Sequence, residues 1–233
     1  MARLAVAAER VRDDLACAGT DRVEGEQGQP RRTRDLQPLS RTLRKGGFGD
    51  APGLRRRARP APRRWRRCCA TPTSTACRWC RSAASSSVGG GGNCRTAAIV
   101  IDLRRLDSFL ELNETTLQVP SRPACTATAS RRCRARGYSM GHWPQSVALS
   151  TVGGWIATRA AGQFSTRYGS IEDMLLGLEG GAGRRSRHAE VKSTPAAPPD
   201  PDPRHLFLGA EGTAGIVTEA TLKVFPLPES RRL

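Results

Sequence analysis

Two glycine clusters, Gly153-Gly154 and Glu211-Gly212-Thr213-Ala214-Gly215, stand among hydroxyl side chains in the C-terminal half of a 233-residue chain. Ser146, Ser150, Thr151 and Thr158 bring hydroxyls, and Arg159 brings charge. Glycine has no Cβ, so a ligand can approach its backbone N–H closely. A Gly-rich turn entering a helix also presents unpaired N–H groups and the positive end of the helix dipole. That combination suits a phosphate or another anion. The plainer alternative is a glycine turn that lets a helix pack tightly on a sheet. Two such clusters weigh against it.

Other residue types offer less chemistry. His142, in GHWPQS, reads as structural; His188 lies in an irregular stretch, and His205 precedes a short surface helix. No Ser-His-Asp set or carboxylate pair can be argued, so no catalytic residue is assigned. Cys68, Cys69, Cys77 and Cys80 include a C-x-x-C, but no second pair stands at zinc-binding spacing and Cys94 is alone. No metal ligand is assigned. All eight Cys precede residue 134; a disulfide framework of an exported domain is the less favoured reading of them.

The elements that must position the glycine clusters are uneven along the chain. Residues 1–53 are polar, with a short helix expected within Met1–Ala18. Residues 54–87 have neither a helical nor a strand period, are interrupted by Pro60 and Pro62, and read as a disordered basic segment. AAIVIDL (97–103) is a buried-strand run. From Ser108 to Val119 two alternating stretches flank Asn113-Glu114, as in a hairpin. Residues 137–178 are well formed, whereas 120–136 and 180–203 are rich in Arg with Cys and Ala, or with Gly and Pro. Residues 205–228 read as a short helix, a glycine turn and a strand over Ile216–Phe225.

Composition excludes some classes. Only 38% of residues are hydrophobic and 5% aromatic, so the core is local. The formal charge of +17 comes from 35 Arg and 3 Lys against 21 acidic residues, and residues 51–100 alone hold 11 Arg with no acid. Such a stretch is the footprint of a nucleic-acid binder, with Trp65 and Trp79 as stacking rings. No recognisable module accompanies it, and the scarcity of Lys points to codon composition. Incidental, salt-sensitive nucleic-acid binding is the expectation. No run reaches the ~20 apolar residues of a membrane span, and no signal peptide is read at the N-terminus. The expected location is cytoplasmic.

The segments Pro144-Gln145-Ser146, Ser150 to Ala160 (STVGGWIATRA), Tyr168 to Asp173 (YGSIED) and Gly209 to Thr218 (GAEGTAGIVT) resemble a known family. They are similar to the FAD-binding domain of the vanillyl-alcohol oxidase/p-cresol methylhydroxylase (PCMH) type, most of all to alkyldihydroxyacetonephosphate synthases and bacterial FAD-linked oxidases. The resemblance implies an α+β fold, a two-part PCMH-type FAD-binding domain whose N-terminal third is degraded or disordered. It implies FAD as cofactor, along Pro144, Gln145, Ser146, Val147, Ala148, Leu149, Ser150, Thr151, Gly153, Gly154, Ala157, Thr158, Arg159 and Ala160. Glu211, Gly212, Thr213, Gly215, Ile216 and Val217 would close over its adenosine and diphosphate. Ala214 replaces the family's Leu. The domain remnant spans 88–228, with 229–233 as a tail. The family's substrate domain, which brings the catalytic Tyr and His residues, would follow at about residue 230. A small-molecule or lipid-precursor substrate would be met only with that domain, so this chain alone is not expected to be catalytic.

The family's diphosphate loop, P-[FY]-G-G-G-T-S-V, is missing where Cys80 to Val88 stands. Back-translated with GC-rich codons, Ala76 to Ala84 reads LPLVPFGG from its third base. Ser121 to Cys133, one base earlier, reads VQAGLHGHGLEA, the family's continuation. Stretches near 54–87, 120–134 and 180–191 therefore read as out-of-frame translations in a once-intact gene, which accounts for the Arg excess and Cys clustering together. An inactive, frameshifted product is the alternative this leaves open.

Overall fold

The computed structural model describes residues 23–24, 53–57, 78–89, 98–104, 106–181, 189–191 and 202–230. Of these, the residues up to Leu106, with Gly181 at the end of a strand that otherwise belongs to the second, make one compact unit, and the remainder make a second. The helix expected within Met1–Ala18 lies outside the described residues.

In the first unit, β1 (Val23–Glu24), β2 (Gly53–Arg57), β3 (Arg78–Ser82) and β4 (Ala98–Asp102) form a sheet in the order β1-β2-β4-β3. The apolar run in AAIVIDL is β4, at an inner position parallel to both β2 and β3. β2 and β3 overlap the stretch read as disordered. At these positions pairing with β4 supplies the backbone bonds, and no side-chain period announces it. The 87/88 boundary drawn from composition falls inside this sheet.

In the second unit, β5 (Gln118–Ser121), α1 (Ala127–Ala135), β6 (Tyr138–Ser139), α2 (Val152–Ala157), α3 (Ser165–Tyr168), α4 (Ile171–Met174), β7 (Leu175–Gly181) and β8 (Ala189–Val191) follow in order. A 3-10 turn at Pro203–Leu206, then β9 (Ile216–Lys223) and β10 (Phe225–Pro226), complete it. The main sheet runs β5-β9-β7-β8, and β6 pairs with β10 in a two-stranded ribbon. The hairpin forms: Asn113 and Gln118 exchange backbone bonds at 2.9 and 3.1 Å, and the Asn113 side-chain oxygen accepts from Thr115 and Thr116. In β9 every second residue from Ile216 to Leu222 is buried, the alternation of a half-buried strand.

The core of this unit gathers Val119, Met140, Trp155, Ile156, Ile171, Leu175 and Leu222, each at 2% exposure or less. Burial of one such side chain contributes about 1.5–3 kcal/mol. α1 arises inside the 120–134 stretch that reads as out of frame. Its Ala129 and Cys133, one turn apart and both fully buried, face the core, while Arg131, Arg132 and Arg134 face solvent. Cys125 and Cys133 are free thiols, and burial pushes both up, Cys133 to about 11. β8 lies in the 180–191 stretch and pairs antiparallel with β7. Among the described residues no helix is long and apolar enough to cross a membrane, and no cluster of His, Cys, Asp and Glu could hold a metal ion.

Candidate functional site

α2 is short because its sequence, VGGWIA, begins with two poor helix formers and ends at Thr158. Both candidate segments attach to it. At its start, Ser146 to Thr151 form a tight turn: the Val147 N–H donates to the Pro144 carbonyl at 2.9 Å, and the Leu149 and Ser150 N–H groups both donate to Ser146 at 2.8 Å. The Ser150 hydroxyl also donates to the Ser146 carbonyl at 2.8 Å and accepts from the Trp155 indole N–H at 2.7 Å. At the end of α2, the N–H of Gly209 donates to the Ile156 carbonyl at 3.0 Å and that of Glu211 to the Ala157 carbonyl at 2.8 Å. Segments 144–151 and 209–217 are thus fixed to opposite ends of one helix.

At Gly153-Gly154 the backbone amides are taken up within the chain. The Val152 N–H donates to Cys125, that of Gly153 to Pro123 at 2.8 Å, and that of Gly154 to the Thr151 hydroxyl at 3.2 Å. No N–H in this first turn is left for an anion. A Cβ on Gly153 would sit 2.7 Å from Pro123 Cβ, so Gly153 serves close packing. A Cβ on Gly154 would meet only the Thr151 hydroxyl, at 3.2 Å.

Arg159 also has a partner within the chain. Its Nε and Nη2 donate to the two carboxylate oxygens of Glu172. That hydrogen bond holds the Glu172 carboxyl below its ordinary range. Sequence reasoning missed Glu172 as the partner, although it stands in the YGSIED motif. Arg159 and Glu211 both take left-handed backbone, at φ 49° and 43°, which side-chain-bearing residues rarely adopt. Such outliers cluster at ligand clamps.

His142 is 2% exposed, with its ring 4.9 Å from that of Trp155 and neither ring nitrogen hydrogen-bonded. Burial pushes its pKa down to about 4. It is a neutral packing residue. His205 is exposed on the 3-10 turn, 3.8 Å from Asp202.

Donors remain elsewhere. Among the described residues, no hydrogen bond takes up the N–H groups of Ser146, Ala148 or Gly212. Gln145, Ser146, Ala148 and Leu149 are exposed, Leu149 at 60%. An apolar side chain beside unpaired amides fits a flat ligand with polar edges, as FAD is. Val147, Ala160, Ala214 and Val217 instead pack on the core and hold the two turns in place. Ile216 is buried in β9.

Residues 70–180 match the FAD_binding_4 family, an FAD binding domain. They form an FAD-binding domain. The chain is 33% identical over 139 residues to the alkyldihydroxyacetonephosphate synthase of Caenorhabditis elegans, covering 59% of this chain and 23% of that protein. It is 34% identical over 156 residues to the FAD-linked oxidoreductase YgcU of Escherichia coli (strain K12), covering 66% of this chain and 32% of the relative. A solved structure of alkyldihydroxyacetonephosphate synthase shares the fold of this FAD-binding domain, with a TM-score of 0.74 at 24% identity over 85% of this chain and 36% of the other. The chain thus spans about a quarter to a third of the length of these curated relatives.

The family match begins before β3, within the stretch that looked degraded. β3 ends at Ser82, whose carbonyl accepts from the Leu103 N–H at 2.8 Å, and Ser85 in the following loop takes φ 55°. That is the conformation a glycine adopts freely.

Proposed function

We propose that this chain is the FAD-holding part of an alkyldihydroxyacetonephosphate synthase-like flavoenzyme of the FAD-linked oxidase kind. The observation that carries the reading is α2, which ties the 144–151 and 209–217 turns together within a chain that matches an FAD-binding family. In this reading the Gln145–Leu149 turn lies along the cofactor, with the Ser146 and Ala148 amides as donors and Leu149 as apolar cover. The Glu211–Thr213 turn, with the Gly212 amide, holds the adenosine diphosphate end. Gly153, Gly154 and the Arg159–Glu172 pair shape the site from behind without touching an anion.

FAD, when bound, supplies either an electron acceptor for oxidation of a hydroxylated substrate or the covalent site at which an acyl chain on dihydroxyacetone phosphate is exchanged for an alkyl chain. The residues of this chain bind and orient; none is assigned a catalytic role, and turnover belongs to the whole enzyme.

The visible spectrum of the protein, incubated with FAD and freed of excess, tests this directly. Flavin bands near a one-to-one ratio are expected. A colourless protein that leaves FAD fluorescence unchanged on titration sinks the proposal.

A further inference from the structure

Four aromatic rings and three cations run in one band across the second unit. Trp143 and Phe164 pack with centroids 6.4 Å apart, and Tyr168 and Phe225 with centroids 4.7 Å apart. Phe164 and Tyr168 join the two pairs, because the Tyr168 N–H donates to the Phe164 carbonyl at 3.0 Å and places both side chains on one face of a helical turn. Each end and the middle carry a cation: Arg134 lies 5.7 Å from the Trp143 ring, Arg167 5.4 Å from Tyr168, and Lys223 5.2 Å from Phe225.

All three cations are exposed, and among the described residues none forms an ion pair. Asp173, whose side chain lies close to Gly169, accepts from the Ser170 N–H at 2.8 Å. A guanidinium stacked on a ring is held flat while its edge N–H groups stay open to solvent, which prepares it for a phosphate. Phe164 is 41% exposed, leaving ring surface for another planar group. Cations that track a backbone beside open aromatic faces are the elements of single-strand recognition.

We propose that this band binds single-stranded nucleic acid, with phosphates on Arg134, Arg167 and Lys223 and a base against Phe164. A sulfated polysaccharide would use the cations without the ring. The proposal is independent of the FAD site, since none of these residues is assigned to the cofactor.

Anisotropy of a fluorescein-labelled oligouridine, titrated with the full chain at several salt concentrations, reads the interaction. The Arg-rich N-terminal region adds charge of its own, so the decisive readouts are local. The triple variant Arg134→Gln, Arg167→Gln, Lys223→Gln is expected to lower the slope of log affinity against log salt by about 2, at about 0.7 per cation. Phe164→Ala is expected to weaken binding about tenfold, the value of one stacked base. A thiouridine-substituted oligonucleotide is expected to crosslink to peptides spanning 143–168 of the unmodified chain. Because these side chains are solvent-facing, the melting temperatures of both variants should match the parent. Unchanged slope and affinity, with crosslinks confined to 54–81, would place binding in the Arg-rich stretch and overturn the proposal. Heparin binding that falls equally in the triple variant, with Phe164→Ala leaving oligouridine affinity intact, would reduce the band to a general polyanion patch and overturn it as well.

Discussion

The backbone N–H of Glu211 donates to the carbonyl of Ala157 at 2.8 Å, so the last carbonyl of α2 is taken by the second glycine cluster, while those of Gly154, Trp155 and Ile156 accept from Thr158, Ala160 and Arg159 just beyond the helix. This satisfies a carbonyl that a six-residue helix leaves open, and the Gly209 N–H shares the Ile156 carbonyl with that of Arg159. The two turns assigned to FAD therefore share one rigid reference.

Glu211 reaches that bond in a left-handed conformation. Glu211→Gly should keep the bond and relieve strain, with stability unchanged or raised by up to about 1 kcal/mol. Glu211→Val should lose about 1–2 kcal/mol, because a β-branched residue resists positive φ. Urea unfolding of the pair checks this; equal stabilities would mean the turn relaxes out of the left-handed region.

Gly153 and Gly154 should respond in opposite ways. Gly153→Ala forces a methyl against Pro123 and should cost about 1–3 kcal/mol. Gly154→Ala meets only the Thr151 hydroxyl and gains up to about 1 kcal/mol of helix propensity, so its stability should hold or rise. Thermal melts of the two cofactor-free variants measure the contrast, and parallel losses would contradict it.

Ser150 and Trp155 should be energetically coupled. Ser150→Ala strands the buried indole N–H, at a cost of about 1–3 kcal/mol. Trp155→Phe removes the donor, so adding Ser150→Ala to it should cost less than Ser150→Ala alone. A double-mutant cycle by denaturant unfolding reads the coupling, and strict additivity would show that the bond carries no weight.

His142 sets a pH dependence. Its pKa is about 4 in the folded chain against 6.5 for an ordinary histidine, so the unfolded state binds the proton more tightly. Its contribution is complete above pH 6.5 and is lost as pH falls from there toward 4, to a total of about 3 kcal/mol. His142→Phe should remove that component of the profile. Unfolding free energies of both proteins between pH 4 and pH 8 decide it, and superimposable profiles would place His142 in contact with water.

Much was legible in the residues. The unbroken apolar run AAIVIDL, the alternation of β9 and the hairpin at Asn113 each carry a local period that survives whatever surrounds them. The motif segments likewise identify an FAD-binding domain, because hydroxyls, glycines and their spacing are properties of the chain itself. Tertiary structure alone decided what those groups face. Gly153 and Gly154 look free in sequence, yet Pro123 and Thr151, brought up by the preceding loop, take their amides. Arg159 shows no partner in sequence, yet Glu172 folds against it. β3 and α1 arise in stretches of poor local pattern, since parallel pairing with β4 and burial of Ala129 and Cys133 stabilise them from outside. Local periodicity records which face a residue presents, whereas hydrogen-bond and charge partners come from distant segments, so only the folded chain assigns them.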